Sequence, residues 1–435
     1  MTLLLGIIYI SLLVFPLFKK KKDYFSPIVL FIITMSFYSL PDVISILSGG
    51  EASYCALLPF KIKQTPEYAI QRMLFCQILF VICYYAGYSL YFRRKNDFPP
   101  HNNPIDATNK KLNLFATIFG MFISLYVTLS FIASIGGIQA LLLAFTDRTS
   151  LSEEQTFLQQ HIPIIMTLCS AFCIKYVSQC KSKPWFLVIL FVIASFIVQT
   201  SGGGRSGFVV LVLSLICYYN YWVKKVNLFS SKFYPLYLAL AVFIIIFQLL
   251  RFEDSSELSL SSVTDNSASL FSSMSYVKTQ VLIQNYFDNH EFWYGRIYSF
   301  LLYMFIPRSI CPSKPHIDEG SYFFNMTYQN GDVLMSDDFY NSWPPFTAGI
   351  SYANGGIIGL IIGGLVLGCI HAYMYKKIKQ YNYSVYVLII YVFVILKFQL
   401  TVFYICNVVY LLIEVWLASK LYKYANNIIH SRIKR

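Results

Sequence analysis

Apolar runs about as long as a bilayer is thick alternate along this chain with short polar stretches rich in lysine. A helix needs roughly 17–25 predominantly apolar residues to cross the hydrocarbon core, so such runs predict transmembrane helices. The pattern predicts spans at about 2–18, 25–48, 70–92, 112–135, 162–178, 185–200, 207–223, 233–250, 347–370, 383–397 and 402–419. The first run has no basic residue ahead of it and four lysines behind it at 19–22. That reverses the charge order of a cleaved signal peptide, and the run is expected to stay as a span. The last two runs are separated by no clear polar loop. A turn is expected among Lys397, Gln399 and Thr401, because one long helix would carry the basic tail to the wrong side. Glu414 then falls inside the final span, where an ionisable side chain faces the bundle interior as a structural pair or a functional group.

The stretch 251–346 divides the chain into eight spans over 1–250, a large loop, and three spans with a basic tail over 347–435. Leu270, Met274, Val277 and Val281 recur at helical spacing, predicting an amphipathic helix over 268–287. Residues 297–306 are apolar but too short to span, which suits an interfacial or re-entrant segment. Trp293, Tyr294, Tyr303 and Trp343 fit the headgroup level. The loop is therefore expected to fold back on the membrane face. In the ninth span, Gly355, Gly359 and Gly363 form a smooth stripe for close helix packing or for a lipid tail.

Composition agrees with this picture. Of 435 residues, 57% are hydrophobic and 13% charged, against about 25% charged in ordinary soluble domains. The net charge of +13 would suit nucleic acid in a soluble protein, but here the cations sit in short loops between apolar runs. With the N-terminus periplasmic and the C-terminus cytoplasmic, 23 of 34 Lys and Arg fall on the cytoplasmic side. Nucleic acid is excluded as a partner. No Cys, His or carboxylate spacing points to a metal, and no cofactor is expected.

The outer loops carry mostly acids, so their cations need a reason. Arg205 sits in Thr200-Ser201-Gly202-Gly203-Gly204-Arg205-Ser206-Gly207, just ahead of a span. Gly203 and Gly204 let backbone N–H groups approach a ligand, and a helix N-terminus with a guanidinium favours a phosphate. The bland alternative is a tight turn with an interfacial arginine. A second cluster, Ile306-Pro307-Arg308-Ser309-Ile310-Cys311-Pro312-Ser313-Lys314-Pro315-His316, is stiffened by three prolines. It presents Arg308 and Lys314 as a basic patch suited to a lipid pyrophosphate. Arg251 and Arg296 are further outer cations. His316, Asp318 and Glu319 are the acid/base candidates beside them. Arg72, outside both motifs, is expected to tolerate substitution.

The GGGRSG hairpin, the IPRSICPSKP run and the PPFTAGISYANGGIIG lead-in to a late span resemble bacterial Wzy-type polymerases of O-antigen or oligosaccharide repeat units. The resemblance extends over the whole topology. It implies an all-α, GT-C-like integral membrane glycosyltransferase of about eleven spans in the inner membrane. Its implied substrate is an undecaprenyl-pyrophosphate-linked oligosaccharide, polymerised without metal into O-antigen or capsule. Membrane lipid and a chain-length regulator protein are the implied partners. Arg205 and Arg308 occupy the motifs that hold the family's functional arginines. O-antigen ligases share the architecture but place a His shortly before a GxxG segment, and none precedes Gly356 and Gly359 suitably. A flippase for lipid-linked oligosaccharides would show two similar halves and midplane charges or broken helices. A membrane acyltransferase would want a buried His within a span, and no His is clearly so placed.

Overall fold

The computed structural model describes residues 1–18, 23–49, 65–93, 109–137, 157–201, 206–228, 230–249, 277–306, 310–311, 313–315, 317–328 and 345–433. Among these, all regular structure is helical. In chain order the α-helices are α1 (Thr2–Val14), α2 (Pro27–Gly49), α3 (Pro66–Arg93), α4 (Lys110–Ser134), α5 (Phe157–Gln179), α6 (Trp185–Thr200) and α7 (Ser206–Trp222). They continue with α8 (Tyr234–Leu249), α9 (Val277–Phe287), α10 (Glu319–Tyr328), α11 (Thr347–Gln380), α12 (Val385–Lys397) and α13 (Val402–Ile433). A 3-10 helix, Arg296–Tyr303, lies between α9 and α10. Among the described residues, α2, α3, α4, α5, α11 and α13 are long and apolar enough to cross a membrane. Shorter apolar helices accompany them, a set that suits a multi-pass membrane protein.

Each predicted apolar run holds a helix, and the last hairpin breaks between Lys397 and Val402. Thr401 starts α13, its Oγ1 accepting from Tyr404 N–H at 3.2 Å. The chain forms two compact units, each assembled from three separate segments.

One unit comprises 98–267, 377–397 and 409–435. Here α4 and α6 pack on α5 and on each other, with α7 and α12 also against α5. The α4–α5 approach is close at Gly120, which faces the Cys169 Sγ. Polar side chains tie the helix ends. Asn109 Oδ1 caps α4, accepting from Lys111 and Leu112 N–H. The Tyr422 hydroxyl bridges Asn109 and the Asn113 side chain, and Asn113 Nδ2 donates to Gln179 at 3.0 Å. At the same C-terminal end of α5, Lys183 Nζ donates to the Val177, Ser178 and Cys180 carbonyls, complementing the helix dipole. Glu414 faces inward as expected and pairs with His161, Nδ1 to Oε1, at 2.9 Å.

The other unit comprises 1–97, 268–376 and 398–408. Helix α1 packs on α2 and α3, and α9 packs on α2, α3 and α10. The expected glycine stripe is corrected here. Helix α11 breaks at Gly355 and Gly356, and Gly356 adopts φ 59°, ψ −136°, a region open to glycine. Beyond the break, Gly359 and Gly363 face Ser351 of the same helix's first part. Close approach to α3 instead uses Gly364 and Gly368. A Cβ on Gly364 would meet the Phe80 carbonyl oxygen at 2.8 Å, and one on Gly368 the Tyr88 nitrogen at 2.7 Å. Gly87 of α3 returns the contact, facing the Leu365 backbone. The expectation that no His lies buried in a span is also overturned. His371 of α11 is 3% exposed, and its Nδ1 is 2.9 Å from the Tyr84 hydroxyl.

Candidate functional site

The described parts of the long loop all belong to the unit built around α3, and they satisfy backbone groups that its broken helices leave open. Ending the first part of α11 at Gly355 frees the carbonyls of Ala353 and Asn354. Trp293 N–H donates to the Ala353 carbonyl at 2.9 Å, and Tyr294 N–H to the Asn354 carbonyl at 3.1 Å. Gly295 N–H donates to Asn354 Oδ1 at 3.0 Å. A buried, unmade backbone bond costs about 1–3 kcal/mol, so this stitching is what allows the break.

The second break, between α12 and α13, is held in the same way. The Tyr298 hydroxyl donates to the Leu400 carbonyl at 2.8 Å. The Glu319 carboxylate accepts from Val402 N–H, and from Phe403 N–H at 3.4 Å. Glu319 is 1% exposed, and burial pushes its carboxyl up to about 8 against the opposing pull of those backbone donors. Lys314 and Glu319 both lie close enough to Cys406 to act on it electrostatically. Loop residues thus converge on the start of α13.

One expectation for the loop changes. Val277 and Val281 are buried on one face of α9, and Leu270 and Met274 lie outside the described residues. Gln280 and Gln284 share that buried face, and Gln280 bonds Gln77 of α3, whereas Leu282, Asn285 and Tyr286 on the other side are half-buried. Trp293 is buried against Phe323, with ring centroids 5.0 Å apart, and does not stand at a surface. Tyr294, Leu302 and Phe305 are exposed, as an interfacial segment requires. Trp343 lies outside the described residues.

Of the candidate site residues, Gly203, Gly204, Arg205, Arg251, Arg308 and His316 lie outside the described residues. Arg296 is exposed at the start of the 3-10 helix. Lys314 Nζ donates to the Ile306 carbonyl at 2.9 Å. Asp318 caps α10, its Oδ1 accepting from Gly320 N–H at 2.9 Å. Asp318 and Glu319 therefore each have a helix-capping duty.

Arg72, outside both motifs, has tertiary partners. Its guanidinium pairs with Asp288 just past α9, donates to the Tyr352 hydroxyl, and lies 5.6 Å from that ring's centroid. The sequence signal was an arginine at the head of an apolar run, which needs a partner, but the partner is far along the chain. Gln77, Gln280 and Gln284 were also missed, although the last two lie four apart on one helix face. No family model, curated protein or solved structure matches the chain.

Proposed function

We propose that the chain polymerises undecaprenyl-pyrophosphate-linked oligosaccharide repeat units at the periplasmic face of the bacterial inner membrane, as a GT-C-like protein of about eleven spans. The N-terminus would be periplasmic and the C-terminus cytoplasmic. The reading rests on the GGGRSG, IPRSICPSKP and PPFTAGISYANGGIIG motifs. The observation that carries it is that the third motif holds the break at Gly355–Gly356, while Tyr298 and Glu319, on either side of the second motif, hold the break before Val402 in the same unit. Irregular backbone at membrane depth is tolerated where it is buried in protein or lines a polar cavity, which is what a site for a lipid-linked substrate needs.

In the reaction, a terminal sugar hydroxyl of one lipid-linked repeat attacks the anomeric carbon of another chain. The new C–O bond forms as the bond to undecaprenyl pyrophosphate breaks, and the hydroxyl proton passes to a base. Charge grows on the departing pyrophosphate, so fixed cations stabilise the transition state more than the ground state. Arg205, Arg308 and Lys314 are assigned that role, with Arg251 and Arg296 next. Because Asp318 and Glu319 cap helices, His316 is carried forward as the proton acceptor. A strain lacking the gene should display single capped repeats in place of a glycan ladder, and a normal ladder would refute the reading. Arg205→Ala and Arg308→Ala should each shorten chains while protein stays in the membrane. Loss of one such contact is worth about 2.7–4 kcal/mol, roughly a hundred- to thousandfold in rate.

A flippase for the same substrate is the second reading. The broken α11 and the His161–Glu414 pair favour it, since transporters use interrupted helices and ionisable groups within the bundle. A flippase null would leave the lipid-linked sugar unexposed at the periplasmic face.

A further inference from the structure

Cations gather around the Gln179 end of α5, where Asn113 of α4 and Tyr422 of α13 also meet. Among the described residues of this unit the only carboxylate is Glu414, which pairs with His161 near the opposite end of α5. Two of the cations are held over aromatic rings. Lys175 Nζ of α5 lies 5.2 Å from the Trp222 ring centroid, and Lys225 Nζ, just past α7, lies 4.7 Å from that of Tyr221. Tyr383, in the turn between α11 and α12, joins the two rings. Trp222 Nε1 donates to its carbonyl at 2.9 Å, and Tyr221 stacks on its ring with centroids 4.9 Å apart. Tyr383 holds φ 55° and Asn382 φ 48°, left-handed conformations that side chains rarely adopt and that these contacts keep in place. The three rings therefore form one fixed platform carrying two ammonium groups.

The surface beside this platform is apolar. Trp185 and Phe186, at the start of α6, are 49% and 79% exposed, and the Trp185 ring lies 5.8 Å from that of Tyr219 of α7. The apolar helices α5 and α7 end at this level and α6 and α12 begin here, which suits rings at the depth of lipid headgroups. A small anion or a soluble acidic segment would answer the two ammonium groups and leave Trp185 and Phe186 in water. An anionic amphiphile answers both, its charge on the lysines and its hydrocarbon on the exposed rings.

We propose that the platform of Trp222, Tyr221 and Tyr383 is a headgroup site for an anionic glycerophospholipid, whose phosphate is held by Lys175 and Lys225 while its acyl chains run along the exposed start of α6. The lipid is a bound partner of the bundle and not a substrate. The site is independent of the polymerase reading and of which reaction the chain performs.

Full-length protein in neutral detergent would be titrated with phosphatidylglycerol and, separately, with phosphatidylcholine of the same acyl chains, bound lipid being counted by native mass spectrometry. Wild type should hold phosphatidylglycerol about tenfold or more tightly than phosphatidylcholine. A lysine beside an anionic headgroup is worth about fivefold in affinity, so Lys225→Ala should weaken phosphatidylglycerol binding about fivefold. Lys175→Ala with Lys225→Ala should erase the preference and leave phosphatidylcholine binding unchanged. Lys423→Ala, which removes the same charge from an exposed position on α13, should alter neither lipid. If the double variant fails to accumulate, Lys225→Glu, at an exposed position, takes its place and should also erase the preference. Equal binding of the two lipids by wild type, or equal losses from Lys225→Ala and Lys423→Ala, would overturn the site and leave only diffuse positive charge. Displacement of phosphatidylglycerol by soluble polyglutamate would overturn the lipid as occupant and assign the platform to an acidic protein segment.

Discussion

Around α5 the described helices run unbroken, and the approach at Gly120 is against a cysteine side chain. Around α3 the approach at Gly364 and Gly368 is against backbone, α11 is broken, and loop residues supply the missing hydrogen bonds. The polar groups differ as well. In the α5 unit, Asn109, Tyr422 and Lys183 hold helix ends. In the α3 unit, Glu319, Gln77 and Gln280 are buried within the packing. A bundle of continuous helices satisfies its own backbone, so its interior polar groups pair with one another, as His161 and Glu414 do, or bond carbonyls of their own helix, as Thr117 and Ser195 do. A unit that interrupts its helices must also import partners from loops for the backbone groups set free. A site for a polar substrate is more readily built in the second kind.

The comparison is tested most severely at the glycines. Gly364→Leu should prevent accumulation of folded protein, and Gly364→Ala should cost about 1–3 kcal/mol, since a carbonyl of α3 blocks the new Cβ. Gly120→Ala should cost less than about 1 kcal/mol, because the atom in the way is the tip of the Cys169 side chain, which can turn where a backbone carbonyl cannot. Unfolding midpoints in detergent would compare the two, and equal losses would erase the distinction.

Next in size is Glu319. Replacing it with Ala should cost about 1.5–3 kcal/mol by stripping the cap from α13. Its carboxyl is pushed up to about 8 by burial, so the folded protein binds more protons than the unfolded chain above the ordinary carboxylate range. The resulting stabilisation is complete below that range and is lost as pH rises towards about 8. Unfolding followed across that window should show this decline in wild type and its absence in Glu319→Gln, which stays neutral and keeps an acceptor.

Arg72→Ala should cost about 1 kcal/mol, the pair with Asp288 being partly open to solvent. Arg72→Lys should recover part of this, since lysine keeps the charge but loses the fork that reaches both Asp288 and Tyr352. The smallest change is expected in the α5 unit. Tyr422→Phe should remove about 0.5–1.5 kcal/mol of hydrogen bonding, measured by the same midpoint.

The helices, the turn before Val402 and the inward face of Glu414 were legible from the sequence alone. Apolar run length and the cost of a charge in an apolar environment are local properties, and each can be read from one stretch of chain. Tertiary structure decided which glycines make the close contact. Gly355, Gly359 and Gly363 share the spacing, but the break at Gly355–Gly356 puts Gly359 and Gly363 against Ser351 and leaves Gly364 and Gly368 to meet α3. It also decided the roles of Glu319, Arg72 and Gln77. Their partners lie at Val402, Asp288 and Gln280, each far along the chain. A helical period says which residues share a face, but a hydrogen bond between distant segments exists only once packing has brought both ends together.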